Sequence, residues 1–70
     1  MTLSDYMRYL GWSTNDLARN AGINARTAAR AIRGETMRPW IAQDIAEALT
    51  KALDTKVLPG DIEGLAIERH

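Results

Sequence analysis

Residues 13–34, STNDLARNAGINARTAARAIRG, constrain the fold of this chain more than any other stretch. Two short runs of helical apolar spacing flank a glycine at position 22, which leaves room for two brief helices and a tight turn. Ser13 is an N-cap residue, and Asp16 stands three positions on, where the carboxylate of a capping box belongs. Trp12 and Leu17 hold the two positions that a hydrophobic staple joins. Leu17, Ala18 and Ala21 supply an inward stripe. Gly22 stops the first of the two helices, because a left-handed residue after a helix end is cheapest as glycine. Ile23 follows as a buried plug and Asn24 as the next N-cap, so the second helix runs over 25–33 and ends at Gly34.

Charge gives this unit a direction. Between Arg19 and Arg38 lie five arginines, counting both ends, and one acid, Glu35. Arg26, Arg30 and Arg33 recur at i, i+4, i+7 and share one helix face, while Ala28, Ala31 and Ile32 occupy the other. An arginine face on a slim, alanine-backed helix suits a DNA major groove, where guanidinium forks reach phosphates or guanine edges. The whole chain has no net charge, yet residues 1–40 carry six arginines against three acids and residues 41–70 carry three basic against six acidic residues. The chain is a dipole with a basic N-terminal half.

The remaining elements read as helices. Leu3, Tyr6, Met7 and Leu10 define a first helix over 3–10, with Thr2 and Asp5 as its capping box and Gly11 as its end. Pro39 is suited to begin a fourth helix over 40–53, with Ile41, Ile45, Ala48, Leu49, Ala52 and Leu53 inward and a Glu47–Lys51 pair outward. Residues 54–56 break the pattern, and Pro59-Gly60 marks a turn. Residues 61–67 are expected as a fifth helix, weakened by Gly64, and a short strand over 56–58 is an alternative way to use Val57 and Leu58. The expected fold class is therefore all-α, a single domain of four to five short helices over residues 1–70.

The string LARNAGINARTAARAIRG, residues 17–34, resembles the helix-turn-helix of the Cro/phage-repressor (xenobiotic-response-element) family of DNA-binding proteins. Arg38-Pro39 resembles the basic-residue–proline loop that precedes the fourth helix in that family. The resemblance covers roughly residues 3–49 and implies a lambda-repressor-like domain whose helix 25–33 enters the major groove. By position it implies base contacts from Asn24, Ala25, Arg26, Ala29 and Arg30, with Arg26 and Arg30 as guanine forks. Ser13, Thr14, Thr27, Arg33 and Arg38 are then phosphate contacts, which position a protein without reading sequence directly. Arg33 has a competing use, a pair with Glu35. Where relatives carry a buried arginine–glutamate pair, this chain has Met7 and Ile32, which are expected to touch; replacing both partners of such a pair by packed apolar groups is often neutral or better. Ala28 stands where a bulkier aliphatic residue is usual, so Trp12 or Trp40 is expected to fill the space.

Other functional classes find little support. There is no cysteine, so no disulfide and no thiolate metal site is expected. The only histidine is His70, and Asp61 and Glu63 do not have metal-ligand spacing. No phosphate-cradling glycine loop is present. We expect no enzyme activity, no metal and no cofactor. No apolar run approaches the about 20 residues of a membrane span, and no secretory leader is apparent, so a cytoplasmic, autonomous protein is expected.

These readings converge on a sequence-specific transcriptional regulator, most simply a repressor, that binds double-stranded DNA as a homodimer on a palindromic operator. Val57, Leu58, Ile62, Leu65 and Ile67 make residues 54–70 the expected dimerisation segment. The alternative is a protein-binding module of the same fold, an antitoxin or anti-repressor, whose acidic C-terminal half holds a protein partner.

Overall fold

Local rules build the N-terminal half. The computed structural model describes residues 1–68. Four α-helices follow one another: α1 (Leu3–Leu10), α2 (Thr14–Ala21), α3 (Ala25–Ile32) and α4 (Pro39–Leu53). Both expected capping boxes form. The Thr2 hydroxyl accepts from the Asp5 N–H at 3.2 Å while the Asp5 carboxylate accepts from the Thr2 N–H at 2.9 Å, and Ser13 and Asp16 repeat the same two distances. Asn24 caps α3 by accepting from the Thr27 N–H at 2.7 Å. Gly22 has a φ of 71°, the left-handed conformation that allows the chain to turn from α2 into α3.

Leu17, Ala28, Ala42, Ile45 and Leu49 are the centre of the core. α2 packs on α3 and α4, and Leu3 and Met7 of α1 join the same cluster. Ile32 is partly buried and packs against the cluster that contains Met7. Trp12 also packs against it, but Trp40 is 60% exposed and fills no space under Ala28. α4 starts with Pro39 as expected, one residue earlier than the predicted range. Its buried set is Ala42, Ile45, Ala46, Ala48 and Leu49, and Ala52 faces solvent rather than the core. Glu47 and Lys51 form no ion pair among the described residues. Asp54 closes α4 in a left-handed conformation, with φ 52°.

The C-terminal arm departs from expectation. No helix forms over 61–67 and no strand over 56–58; a single 3₁₀ turn, Pro59–Asp61, is followed by extended chain. A seven-residue helix is marginal, and Gly64, at φ 75°, is left-handed here. The extended backbone finds partners elsewhere instead. Glu63 N–H donates to the Met1 carbonyl at 3.0 Å, Met37 N–H donates to the Ala66 carbonyl at 2.8 Å, and Glu68 N–H donates to the Met37 carbonyl at 2.7 Å. These bonds make two isolated parallel bridges, Thr2 with Glu63 and Met37 with Ile67. The arm thus straps the N-terminus to the loop between α3 and α4. Thr50 ties its beginning to α4: its hydroxyl accepts from the Val57 N–H at 2.9 Å. Val57 and Ile62 are buried in the chain's own core, and Leu65 and Ile67 pack against it, which leaves Leu58 as the large, strongly exposed apolar residue of the segment. The apolar surface on which a dimerisation segment over 54–70 was expected is therefore largely internal. The last two residues of that segment, including His70, lie outside the described residues. No helix among the described residues is long and apolar enough to cross a membrane.

Candidate nucleic-acid interface

α3 has a clean division of faces. Ala28 and Ala31 are buried, whereas Ala25, Arg26, Arg30 and the following Arg33 are exposed. Ala29 and Thr27 are half-buried between the two faces. Alanine at 28 and 31 allows the helix to lie close on α2, so its arginine face stands out from a thin support.

The end of α3 fixes a carboxylate among these arginines. Gly34 N–H donates to the Ala31 carbonyl at 3.1 Å and Glu35 N–H to the Arg30 carbonyl at 3.0 Å. Gly34 has a φ of 82°. This paired bonding is a Schellman motif, in which the residue after the glycine returns to lie beside the residue five positions back; an apolar contact usually accompanies it. Here that contact is ionic. Arg30 Nε donates to Glu35 Oε1 at 3.2 Å, and Arg33 Nε donates to Glu35 Oε2 at 2.8 Å with Arg33 Nη2 2.7 Å from the same oxygen. Hydrogen bonding from Arg33 is the largest influence on the Glu35 carboxyl and holds its pKa below the usual value, against an opposing partial desolvation. Exposed pairs of this kind add little to stability.

Arg38 lies in a second charge group. Its guanidinium is 5.6 Å from the centre of the Trp40 ring, and its Nε lies 3.4 Å from Glu68 Oε2 on the C-terminal arm. Thr27, Arg30, Glu35, Arg38, Trp40 and Glu68 line one open cleft of about 330 Å³, so two residues expected at phosphates and one expected at a base share a surface. Arg33 lies on the rim of a different cleft, of about 260 Å³, beside Thr2, Ser4 and Glu63.

The other expected contacts differ in the donors they keep. Ser13 Oγ is engaged as a cap acceptor, and its hydroxyl also acts on the Asp16 carboxylate, so Ser13 is occupied within its own helix start. Thr14 is half-buried at the start of α2. The amides of Thr14 and Asn15 precede the first backbone donor of α2, Leu17 N–H to the Ser13 carbonyl, and point the positive end of the helix outward. Asn24 uses Oδ1 as its cap, which leaves its amide NH₂ as the available group. Arg26 is exposed and, alone of the arginines among the described residues, has no carboxylate within ion-pair distance.

The bond of Glu35 to Arg30 comes in addition to the Arg33 pair expected from the sequence. Its signal in the sequence is Gly34, since a glycine after a helix implies the return contact across five residues. Glu68 was missed because its pairing depends on the extended arm. Among the described residues no three or more His, Cys, Asp or Glu side chains come together as a metal site would need. Comparison with protein-family models, with curated proteins and with solved structures finds no match.

Proposed function

We propose that this protein is a sequence-specific duplex DNA-binding regulator of the Cro/phage-repressor type, most simply a repressor, with α3 as its recognition helix. The observation that carries this reading is the exposed Arg26/Arg30 face of α3, backed by buried Ala28 and Ala31 and seated on α2. Arg26 and Arg30 fork onto guanine edges, each contributing about 1–3 kcal/mol of discrimination. Asn24, Ala25 and Ala29 complete the base-facing surface, the alanines as contacts for thymine methyl groups. Thr14, Thr27 and Arg38 hold phosphates, aided by the free amides that open α2. Two copies on half-sites about one helical turn apart would read a palindrome.

The rival reading, a protein-binding module with an acidic grip, has less to draw on. Three acids of residues 41–70 are engaged within the chain: Asp61 accepts from the Leu58 N–H at 2.9 Å, Glu63 lies 3.7 Å from the Met1 amino group and Glu68 pairs with Arg38.

Selection of duplexes from a randomised pool tests the proposal, with the wild type and with Arg26→Ala plus Arg30→Ala side by side. The wild type should enrich a two-fold symmetric motif, and the double variant should lose it while remaining folded by circular dichroism. Enrichment of nothing by the wild type, with weak binding to bulk duplex at low salt, would sink the regulator reading in favour of the protein-binding one.

A further inference from the structure

We propose that Glu35 is a specificity-determining residue of this interface, which orients Arg30 toward bases and withholds Arg33 from phosphates. The inference rests on the DNA-binding reading above and adds to it a role for an acid inside a basic surface.

An acid beside a recognition helix is costly for DNA binding unless it does something besides repel. The backbone around Glu35 is anchored, because its N–H bonds the Arg30 carbonyl at 3.0 Å and Gly34 turns the chain back. The carboxylate is thereby delivered to the two arginines, one on each oxygen. The two arginines are held differently. Arg30 donates from Nε alone, at 3.2 Å, so both Nη groups stay available and the side chain is steadied at its root. The outer edge of a guanidinium, with its two Nη groups, is a fork that fits guanine O6 and N7. Arg33 gives Glu35 its Nε at 2.8 Å and has Nη2 2.7 Å from the same oxygen, so one edge of its fork is occupied and its charge is offset. Arg33, for which the family resemblance implies a phosphate contact, is therefore held back in this arrangement.

Steadying a long side chain before binding removes an ordering cost of about 0.5–1.5 kcal/mol, equivalent to about 2- to 12-fold in affinity, and does so only for the duplex on which the fork is used. Offsetting Arg33 weakens attraction to every duplex alike, since phosphate contacts are blind to sequence. Only the first effect widens the ratio of specific to non-specific binding; the second lowers affinity for all duplexes and leaves that ratio unchanged.

The test measures equilibrium binding to the enriched duplex, to that duplex with the base pair read by Arg30 replaced, and to an unrelated duplex, across a salt series. The proteins are the wild type, Glu35→Gln, Glu35→Ala, Arg33→Ala and the Glu35→Ala/Arg33→Ala double variant, each verified as folded by its thermal melt. Both Glu35 variants should bind the unrelated duplex more tightly. Their preference for the correct base pair should fall about 2- to 12-fold, and the salt slope should steepen by about 0.9 for the released arginine. Arg33→Ala should leave the slope unchanged when Glu35 is present and remove the steepening when it is absent. A wild-type protein that selects a motif, with Glu35 variants that keep its base-pair preference and salt slope, would overturn the role of Glu35 and leave the DNA reading intact. A wild type that binds no duplex selectively would overturn both.

Discussion

The two-helix unit of α2 and α3 and the C-terminal arm are held by different kinds of interaction. In the unit, side chains three residues apart close each helix start, and a glycine closes each turn. In the arm, local bonds close the turn over 58–62, but the extended chain beyond it is held from far away: Glu63 reaches Met1, and Glu68 and Ala66 reach Met37. The unit presents its polar side chains to solvent, whereas the arm directs its apolar ones, Val57 and Ile62, into the core beneath the unit. An exposed arginine face can thus be written in local signals, while the frame that holds it depends on partners far along the chain.

Truncation of one buried residue in each region should have the largest consequence. Leu17 in α2 is fully buried and Ile62 in the arm is 3% exposed. Each change to alanine should destabilise by about 2–5 kcal/mol, the range for large-to-small changes in a packed interior. Both should lower the same single thermal transition followed by circular dichroism. If Ile62→Ala leaves the melt of the helices in place, the arm is an appendage rather than part of the frame.

Thr50 stands at the junction of the two regions. Its hydroxyl donates to the Ala46 carbonyl at 2.8 Å and accepts from the Val57 N–H at 2.9 Å, so it joins the last turns of α4 to the start of the arm. Thr50→Val keeps the shape and leaves the Val57 N–H without its partner. The expected cost is about 1–3 kcal/mol, the penalty for stranding a buried donor. Hydrogen exchange at Val57 is the direct measurement, and it should accelerate more than exchange in α2.

Legibility follows the same divide. Thr2, Ser13 and Asn24 announced their helices because a capping side chain and the amide it satisfies are neighbours in sequence. The arginine face of α3 was legible for the same reason, being a matter of helical period. Residues 61–67 misled because their apolar spacing is compatible with a helix, and nothing near them reveals that Met1 and Met37 will take their backbone bonds. Of the two tryptophans expected near Ala28, Trp12 packs against the core, whereas Trp40, beside Arg38 at the start of α4, lies at the surface. Glu35 was half legible, since the turn at Gly34 lies in the sequence but the choice of which arginines it meets lies in the geometry of the helix end.

A single helix cap contributes less than either the buried side chains or the Thr50 bond. Ser13→Ala removes one cap acceptor and should cost about 1 kcal/mol, read as a lowered melting temperature with the arm's contacts unchanged. It should also alter an acid titration. The Asp16 carboxyl lies below its ordinary pKa of 3.8, chiefly because it accepts from the Ser13 backbone N–H and then because of the Ser13 hydroxyl; Asp5 is lowered by Thr2 in the same order. A carboxyl with a lowered folded-state pKa adds stability that is fully present above its unfolded value and is lost as pH falls through the folded one. The helix starts should therefore loosen as pH drops below 3.8. In Ser13→Ala the hydroxyl's share is gone while the backbone bond remains, so carbon-detected NMR should find Asp16 titrating at higher pH than in the wild type and Asp5 unmoved. Equal displacement of both carboxyls would mean that the two caps are coupled through the core, and the unit could no longer be regarded as built from independent local signals.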